Sequence, residues 1–329
     1  MKVSITGAAG FLGQKLARAL LAGRQLVDGD GVSQTVTHLV LADIVAPAAD
    51  IAADARVTVL TGDIGDPAFL AQCLPSDLSS VFHLAAVVSS GAEADFDLGM
   101  RINLAATQQM LEILRQQAGC PKLVFASSCA AYGGDMADII DDRQQVTPQT
   151  SYGTQKAIGE LLVNDYSRKG FLDGRALRFP TVVVRPGKPN KAASTFASSI
   201  IREPLQGQRA ICPVSADTPM WLASPRSVVE NIIRAHDRPG ADFDTWRALA
   251  IPGFSVPVGE MVDSLKRVAG NNVAALIDWQ PDPAIEKIVY GWPSQLDTAR
   301  AYALDMVADA SMDAVVQAFI EDDLNPALG

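Results

Sequence analysis

The stretch Val3-Ser4-Ile5-Thr6-Gly7-Ala8-Ala9-Gly10-Phe11-Leu12-Gly13 decides the fold. It reads as a short strand that turns through three spaced glycines into an amphipathic helix over residues 11–22. That strand, glycine turn and helix open a doubly wound α/β unit, and they leave a helix N-terminus free to receive a phosphate. Gly7 is expected at the tight turn, Gly10 where backbone meets a pyrophosphate, and Gly13 where the helix packs on the sheet. Phe11 and Leu12 lie between them at the cofactor edge.

Outward from this unit, apolar runs at residues 37–42, 57–61, 81–84, 123–127 and 175–179 alternate with helical patterns at 97–118 and 151–169, which predicts parallel strands joined by helices. Beyond residue 184 the texture changes to Arg-Pro-Gly-Lys-Pro-Asn-Lys, followed by helical patterns at 194–206 and 224–235. The expected architecture is a Rossmann-type doubly wound parallel sheet (1–184) with a smaller C-terminal, mainly substrate-binding lobe (185–329). The boundary is soft and segments can interleave. Ligands of such a sheet sit at the carboxyl edge of its strands.

The 329 residues are 48% hydrophobic and 19% charged, enough to bury a sizeable core, and no run of residues is apolar enough for a membrane helix. Subtracting 37 acidic from 27 basic residues leaves −10, which disfavours nucleic acid and anionic membranes as partners. Cys73, Cys120, Cys129 and Cys212 form no CxxC pair, and with three histidines they supply no zinc spacing. No metal is expected. A reducing cytoplasm fits, and the opening MKVSITGAAG lacks the pattern of a secretory signal, so Met1 reads as the true start.

Asp43, at the end of the second strand, can accept hydrogen bonds from both hydroxyls of an adenosine ribose and repel a 2′-phosphate, which favours NAD over NADP. A strand-end cap is the alternative role. Its long spacing from Gly13 points to an inserted loop over 26–35. Asp63 and Ile64 can hold an adenine, and Ala85 and Ala86 provide small side chains where a cofactor passes the backbone; ordinary loop and packing roles are equally open for both pairs. Asn103 is either a buried hydrogen-bonding link or a solvent-facing polar residue.

Tyr152 and Lys156 stand four apart at a helix start, on one face. A nearby cation favours phenolate, making proton abstraction from an alcohol feasible. The fifth strand delivers Ser127 and Ser128 to the same edge, where a hydroxyl can steady the reacting oxygen or simply satisfy backbone groups.

Taken together, GxxGxxG, Asp43, Asp63-Ile64, HLAA, FASSCAAYG and YxxxK resemble the extended short-chain dehydrogenase/reductase family over nearly the whole chain. The resemblance implies Tyr152 as base, Lys156 as its partner and a ligand of the nicotinamide ribose, and Ser128 as the substrate-orienting serine. It also implies Asn103 along the cofactor channel and Pro180-Thr181 beside the nicotinamide. Phe179-Pro180-Thr181 departs from the asparagine usual in sugar-nucleotide epimerases. RFPTVVVRPGKPNKAASTFASSIIREPLQG and PMWLASPRSVVENIIRAHD are similar to dehydrogenases of four-carbon sugar acids, which implies NAD-linked oxidation of C2 to a 2-oxo acid.

On the substrate side, Arg185, Lys188 and Lys191 form a basic cluster suited to a carboxylate, with Lys188 favoured because prolines flank Gly187-Lys188, and Asn190 adds an amide. A solvated loop is the alternative. Ser89 and Ser90 are further hydroxyl candidates, Arg226 faces either the site or solvent, and Trp221 and Trp279 read as core anchors of the second lobe. The expected partner is a small anionic sugar acid, with a homodimer left open. A nucleotide-sugar 4-epimerase that retains NAD and a non-catalytic NAD sensor are the competing readings.

Overall fold

In the computed structural model, which describes residues 1–187 and 193–324, the main sheet has seven parallel strands. They are β1 (Lys2–Thr6), β2 (His38–Asp43), β3 (Val57–Thr61), β4 (Ser80–His83), β5 (Lys122–Ser128), β6 (Asp173–Phe179) and β7 (Ala248–Ala250). Their spatial order is β7-β6-β5-β4-β1-β2-β3. The order reverses between β1 and β4, which opens a crevice at the carboxyl ends of those strands.

Period-two alternation assigns the two faces. Phe82 and Val124 point to one face, where they pack with Leu16 and Leu20 of α1 (Phe11–Leu21). Val81, Leu123 and Phe125 point to the other, against Met110 and Leu114 of α2 (Ala106–Arg115) and Val163 of α3 (Ser151–Arg168). The α3 start is capped by the Thr150 side chain, which accepts from Gly153 N at 3.1 Å. That cap fixes where Tyr152 and Lys156 emerge.

The helical pattern at 97–118 is not one uniform helix. Phe96–Gly99 is followed by a π-helical turn at Met100–Ala105 and only then by α2, and Asn103 sits in that widened turn. Residues 26–35 carry a small antiparallel pairing of Leu26–Val27 with Ser33–Gln34, which accounts for the long spacing before Asp43. The seventh strand was not anticipated, because three residues are too few to display a period.

The second layer is a three-stranded sheet of Thr181–Val182, Pro219–Ala223 and Phe254–Pro257. Its own core includes Phe196 and Ile200 of α4 (Thr195–Leu205), with Met220, Met261 and Val315. The chain does not change layers only once. From the second half, α5 (Pro225–Asp237) packs Val228 and Ile232 into the α1 face and β7 joins the main sheet.

Candidate active site

A cavity of about 850 Å³ lies along the carboxyl edge between the two layers. At one end it is lined by Gly7, Gly10, Phe11, Leu12 and Gly13, by Asp43, and by Asp63 and Ile64. Gly7 has φ +72°, and a Cβ there would lie 2.6 Å from Ala85 N, so both conformation and space demand glycine. The same lack of a side chain keeps the main chain open toward the cavity, a cradle that fits a dinucleotide. Ala85, Ala86 and Ser89 continue the wall; Ser90 does not line it.

Asp43 Oδ2 accepts from Ala9 N at 2.9 Å and Oδ1 from Ile44 N at 2.7 Å. The carboxylate ties the glycine loop to the end of β2, yet each oxygen retains acceptor capacity for a ribose hydroxyl. Asp43 makes no ion pair among the described residues. Asp63 differs: it accepts from Arg101 Nη1 and Gly65 N, both at 2.7 Å. Burial raises its pKa, but these bonds outweigh burial and hold the carboxyl below its ordinary value.

Asn103 takes the role of a buried hydrogen-bonding link and does not line the channel that the family resemblance implied. It is 1% exposed, and its amide is committed to both main-chain groups of Val87 and to Gln155 Oε1, 2.7 Å away. It braces the wall from behind.

At the other end, Ser128, Tyr152 and Lys156 line the same cavity. The Ser128 hydroxyl caps a short turn by accepting from Ala130 N at 3.1 Å. Gly153 lets α3 press against that turn, since a Cβ there would lie 2.1 Å from Ala130 O. Lys156 Nζ sits 4.7 Å from the Phe125 ring centroid and 5.6 Å from that of Tyr152.

Burial pushes the Tyr152 phenol up to about 12, opposed by Ser128 and by the positive charge of Arg185. Burial also takes the Lys156 ammonium down to about 7, opposed by Glu160 one helical turn further on. The sequence pointed to Lys156 as the cation acting on the phenol. In the structure Arg185 adds a second positive charge that acts on the phenol, while burial makes the Lys156 ammonium easier to deprotonate.

Beneath these residues, Arg178 donates from Nε and Nη2 to Glu160 at 3.0 and 2.7 Å and from Nη1 to the Tyr132 hydroxyl at 2.6 Å. Ser127 also donates to Glu160. Burial opposes the Arg178 charge, but Glu160 outweighs it and holds the guanidinium above its usual pKa.

The roof comes from the second layer, with Pro180, Thr181, Arg185, Ser194, Arg202, Trp221 and Trp292 among its lining. Lys188, Asn190 and Lys191 lie outside the described residues. Arg226 is on the surface, paired with Glu321 and Asp322. Trp221 is buried beside Tyr132, whereas Trp279 is 41% exposed and is not a core anchor. Arg101, Arg202 and Trp292 were missed. An arginine amid the apolar residues of Ile200-Ile201-Arg202 was the available signal for one of them.

A glycine cradle, a carboxylate at the end of β2 and a serine, tyrosine and lysine on one sheet edge define an enzyme of the nicotinamide-dinucleotide class. The model of the NAD dependent epimerase/dehydratase family matches residues 3–222, and the chain belongs to that family. Its cofactor is NAD. The chain is 51% identical over 322 residues to a D-erythronate dehydrogenase of Cupriavidus necator, covering 98% of each chain. It is 45% identical over 324 residues to a D-erythronate dehydrogenase of Haemophilus influenzae, covering 98% of this chain and 100% of that one. A solved nucleoside-diphosphate-sugar epimerase from Agrobacterium tumefaciens superposes with a TM-score of 0.92 at 40% identity, over 100% of this chain and 96% of that one. No described helix is long and apolar enough to cross a membrane.

Proposed function

We propose that the protein oxidises the C2 hydroxyl of a four-carbon sugar acid, D-erythronate, to 2-oxo-D-erythronate with NAD. The observation that carries the reading is that Ser128, Tyr152 and Lys156 share one cavity with the glycine cradle and Asp43. Two relatives named for this activity, matched over nearly their full lengths, supply the substrate.

Bound NAD would supply the acceptor for the hydride that leaves C2. Tyr152 takes the proton of the C2 hydroxyl as the carbonyl forms. Ser128 steadies the reacting oxygen by hydrogen bonding, and Lys156 would hold the nicotinamide ribose. Gly7, Gly10, Phe11, Leu12, Gly13, Asp43, Asp63, Ile64, Ala85, Ala86 and Pro180 form the cofactor side. Asp63 serves there through its pairing with Arg101, and Asn103 through the wall it braces. Ser89 and Thr181 face the substrate. The lobe from residue 185 onward completes the substrate side, with Lys188 and Asn190 part of the same reading. The reading includes a cytoplasmic setting, which four unpaired thiols support, and a homodimer, for which sedimentation is the test.

The experiment is to follow NADH while the protein meets NAD with D-erythronate, other sugar acids and nucleotide sugars. D-Erythronate is expected to give stoichiometric NADH. Tyr152→Phe is expected to lose about a hundred- to ten-thousand-fold in turnover while NAD affinity stays within about threefold. The 40% identical epimerase structure favours a second reading, nucleotide-sugar epimerisation with retained NAD. Interconversion of a nucleotide sugar without net NADH, and no NADH from any sugar acid, would replace the first reading with that one.

A further inference from the structure

Arg185 follows the short strand Thr181–Val182 into the cavity wall that it shares with Tyr152 and Thr181. Its placement is built from several sides. Its main-chain N–H donates to Ser198 Oγ at 3.1 Å, and its carbonyl receives Arg202 Nη1 at 2.7 Å. Its guanidinium donates through Nη2 to Ser194 Oγ at 2.8 Å and Ser194 O at 3.2 Å. Among the described residues these side-chain bonds all use Nη2, which leaves Nε and Nη1 for another acceptor.

The charge itself is unmatched. Arg175 pairs with Asp173, Arg178 with Glu160 and Arg202 with Glu203, but no carboxylate pairs with Arg185 among the described residues. Residues 188–192, Lys-Pro-Asn-Lys-Ala, contain no acidic side chain that could do so. Burial and the neighbouring cation Arg202 both hold the Arg185 pKa below its usual value. A half-buried cation without a counter-charge is costly, and a protein with 37 acidic residues keeps it bare on the wall of its main cavity. An anionic ligand supplies what the chain does not.

We propose that Arg185 is the carboxylate anchor of the substrate site and determines its preference for 2-hydroxy acids. The proposal rests on the sugar-acid reading above and deepens it. In a 2-hydroxy acid the carboxylate carbon is bonded directly to the carbon that carries the reacting hydroxyl. Anchor and base must then lie within one small molecule's reach, and Arg185 is near enough to Tyr152 for its charge to act on the phenol. The planar fork takes the carboxylate at two points and turns the C2 hydroxyl toward Tyr152 and Ser128. A nucleotide sugar has no carboxylate beside its reacting carbon and leaves this fork unused.

The test compares D-erythronate with D-erythronamide, which has the same shape without the charge, in the wild type, Arg185→Gln and Arg185→Lys. Arg185→Gln is expected to raise KM for the acid roughly ten- to a hundredfold, the worth of a charge-assisted hydrogen bond. KM for the amide should move less than about threefold, and Arg185→Lys should fall between. NAD affinity, titrated separately, should be unchanged and reports an intact fold. Equal losses for acid and amide, or an unchanged acid preference, overturn the anchor while leaving the dehydrogenase reading intact. A turnover-independent arm measures tartronate binding to the NAD-loaded protein by calorimetry. Weakening by the same factor in Arg185→Gln supports the anchor, and equal tartronate affinity in wild type and variant overturns it even if no sugar acid proves to be oxidised.

Discussion

Arg178 and Arg185 lie seven residues apart on one stretch of chain, yet they belong to different kinds of environment. Below the reaction centre, Arg178 has a two-point clasp on Glu160 and a third bond to Tyr132, so its charge is fully answered by the protein. In the roof, Arg185 is held by a serine and meets no carboxylate among the described residues. A buried charge with every partner present is part of the scaffold. One that is fixed in place without a counter-ion is prepared for something else. The acidic residues of the cofactor end repeat the contrast, with Asp63 paired to Arg101 and Asp43 bonded, among the described residues, by main-chain N–H groups alone.

The largest expected effect breaks the scaffold pair. Glu160→Gln leaves the Arg178 guanidinium buried without its carboxylate, which should cost about 3–5 kcal/mol of stability. Arg185→Gln removes a cation that has no such partner and should stay within about 1 kcal/mol of the wild type. Urea melts of the two variants measure both, and equal destabilisation would erase the distinction between the two arginines.

The acidic pair gives a middle-sized effect. Asp43→Ser should raise the use of NADP relative to NAD by about tenfold or more, because a carboxylate no longer opposes the 2′-phosphate; tenfold is about 1.4 kcal/mol. Asp63→Asn should change that ratio little, since Arg101 already offsets the Asp63 charge. Ratios of kcat/KM for the two cofactors decide it, and equal shifts in both variants would remove Asp43 from the ribose.

What could be read from the sequence follows the same division. The carboxyl edge was legible because each position there is set by local geometry: a turn that needs Gly7, a strand end at Asp43, an i, i+4 face for Tyr152 and Lys156. Asn103 is the buried hydrogen-bonding link that its residue type allowed, sitting in the π-helical turn at Met100–Ala105, and only the channel position implied by the family resemblance differs. The roof was legible only in part, at Pro180, Thr181 and Arg185. Arg202 and Trp292 reach the cavity through packing of elements far apart in the chain, and β7 is too short to carry a pattern. Charge was the least local property of all. The influence of Arg185 on Tyr152 depends on a contact between the two layers that no spacing along the chain encodes.

The last prediction concerns a third buried cation, Lys156, which makes no ion pair among the described residues and feels Glu160 only from one turn away. Burial takes its pKa from 10.5 to about 7. Between those values the unfolded chain holds a proton that the folded, cofactor-free protein has released, so folding stability gains with rising pH across that window. Below pH 7 both states are protonated and the full cost of burying the ammonium is present. Lys156→Met should therefore stabilise the cofactor-free protein most near pH 6, with the gain shrinking through the window and gone by about pH 10.5. The same variant should lose NAD affinity and nearly all turnover, since the proposed function places that ammonium on the ribose beside the phenol. Thermal melts at pH 6, 8 and 10 check the first half. A gain independent of pH would mean that it comes from packing the methionine, and that the lysine is not strained by its burial.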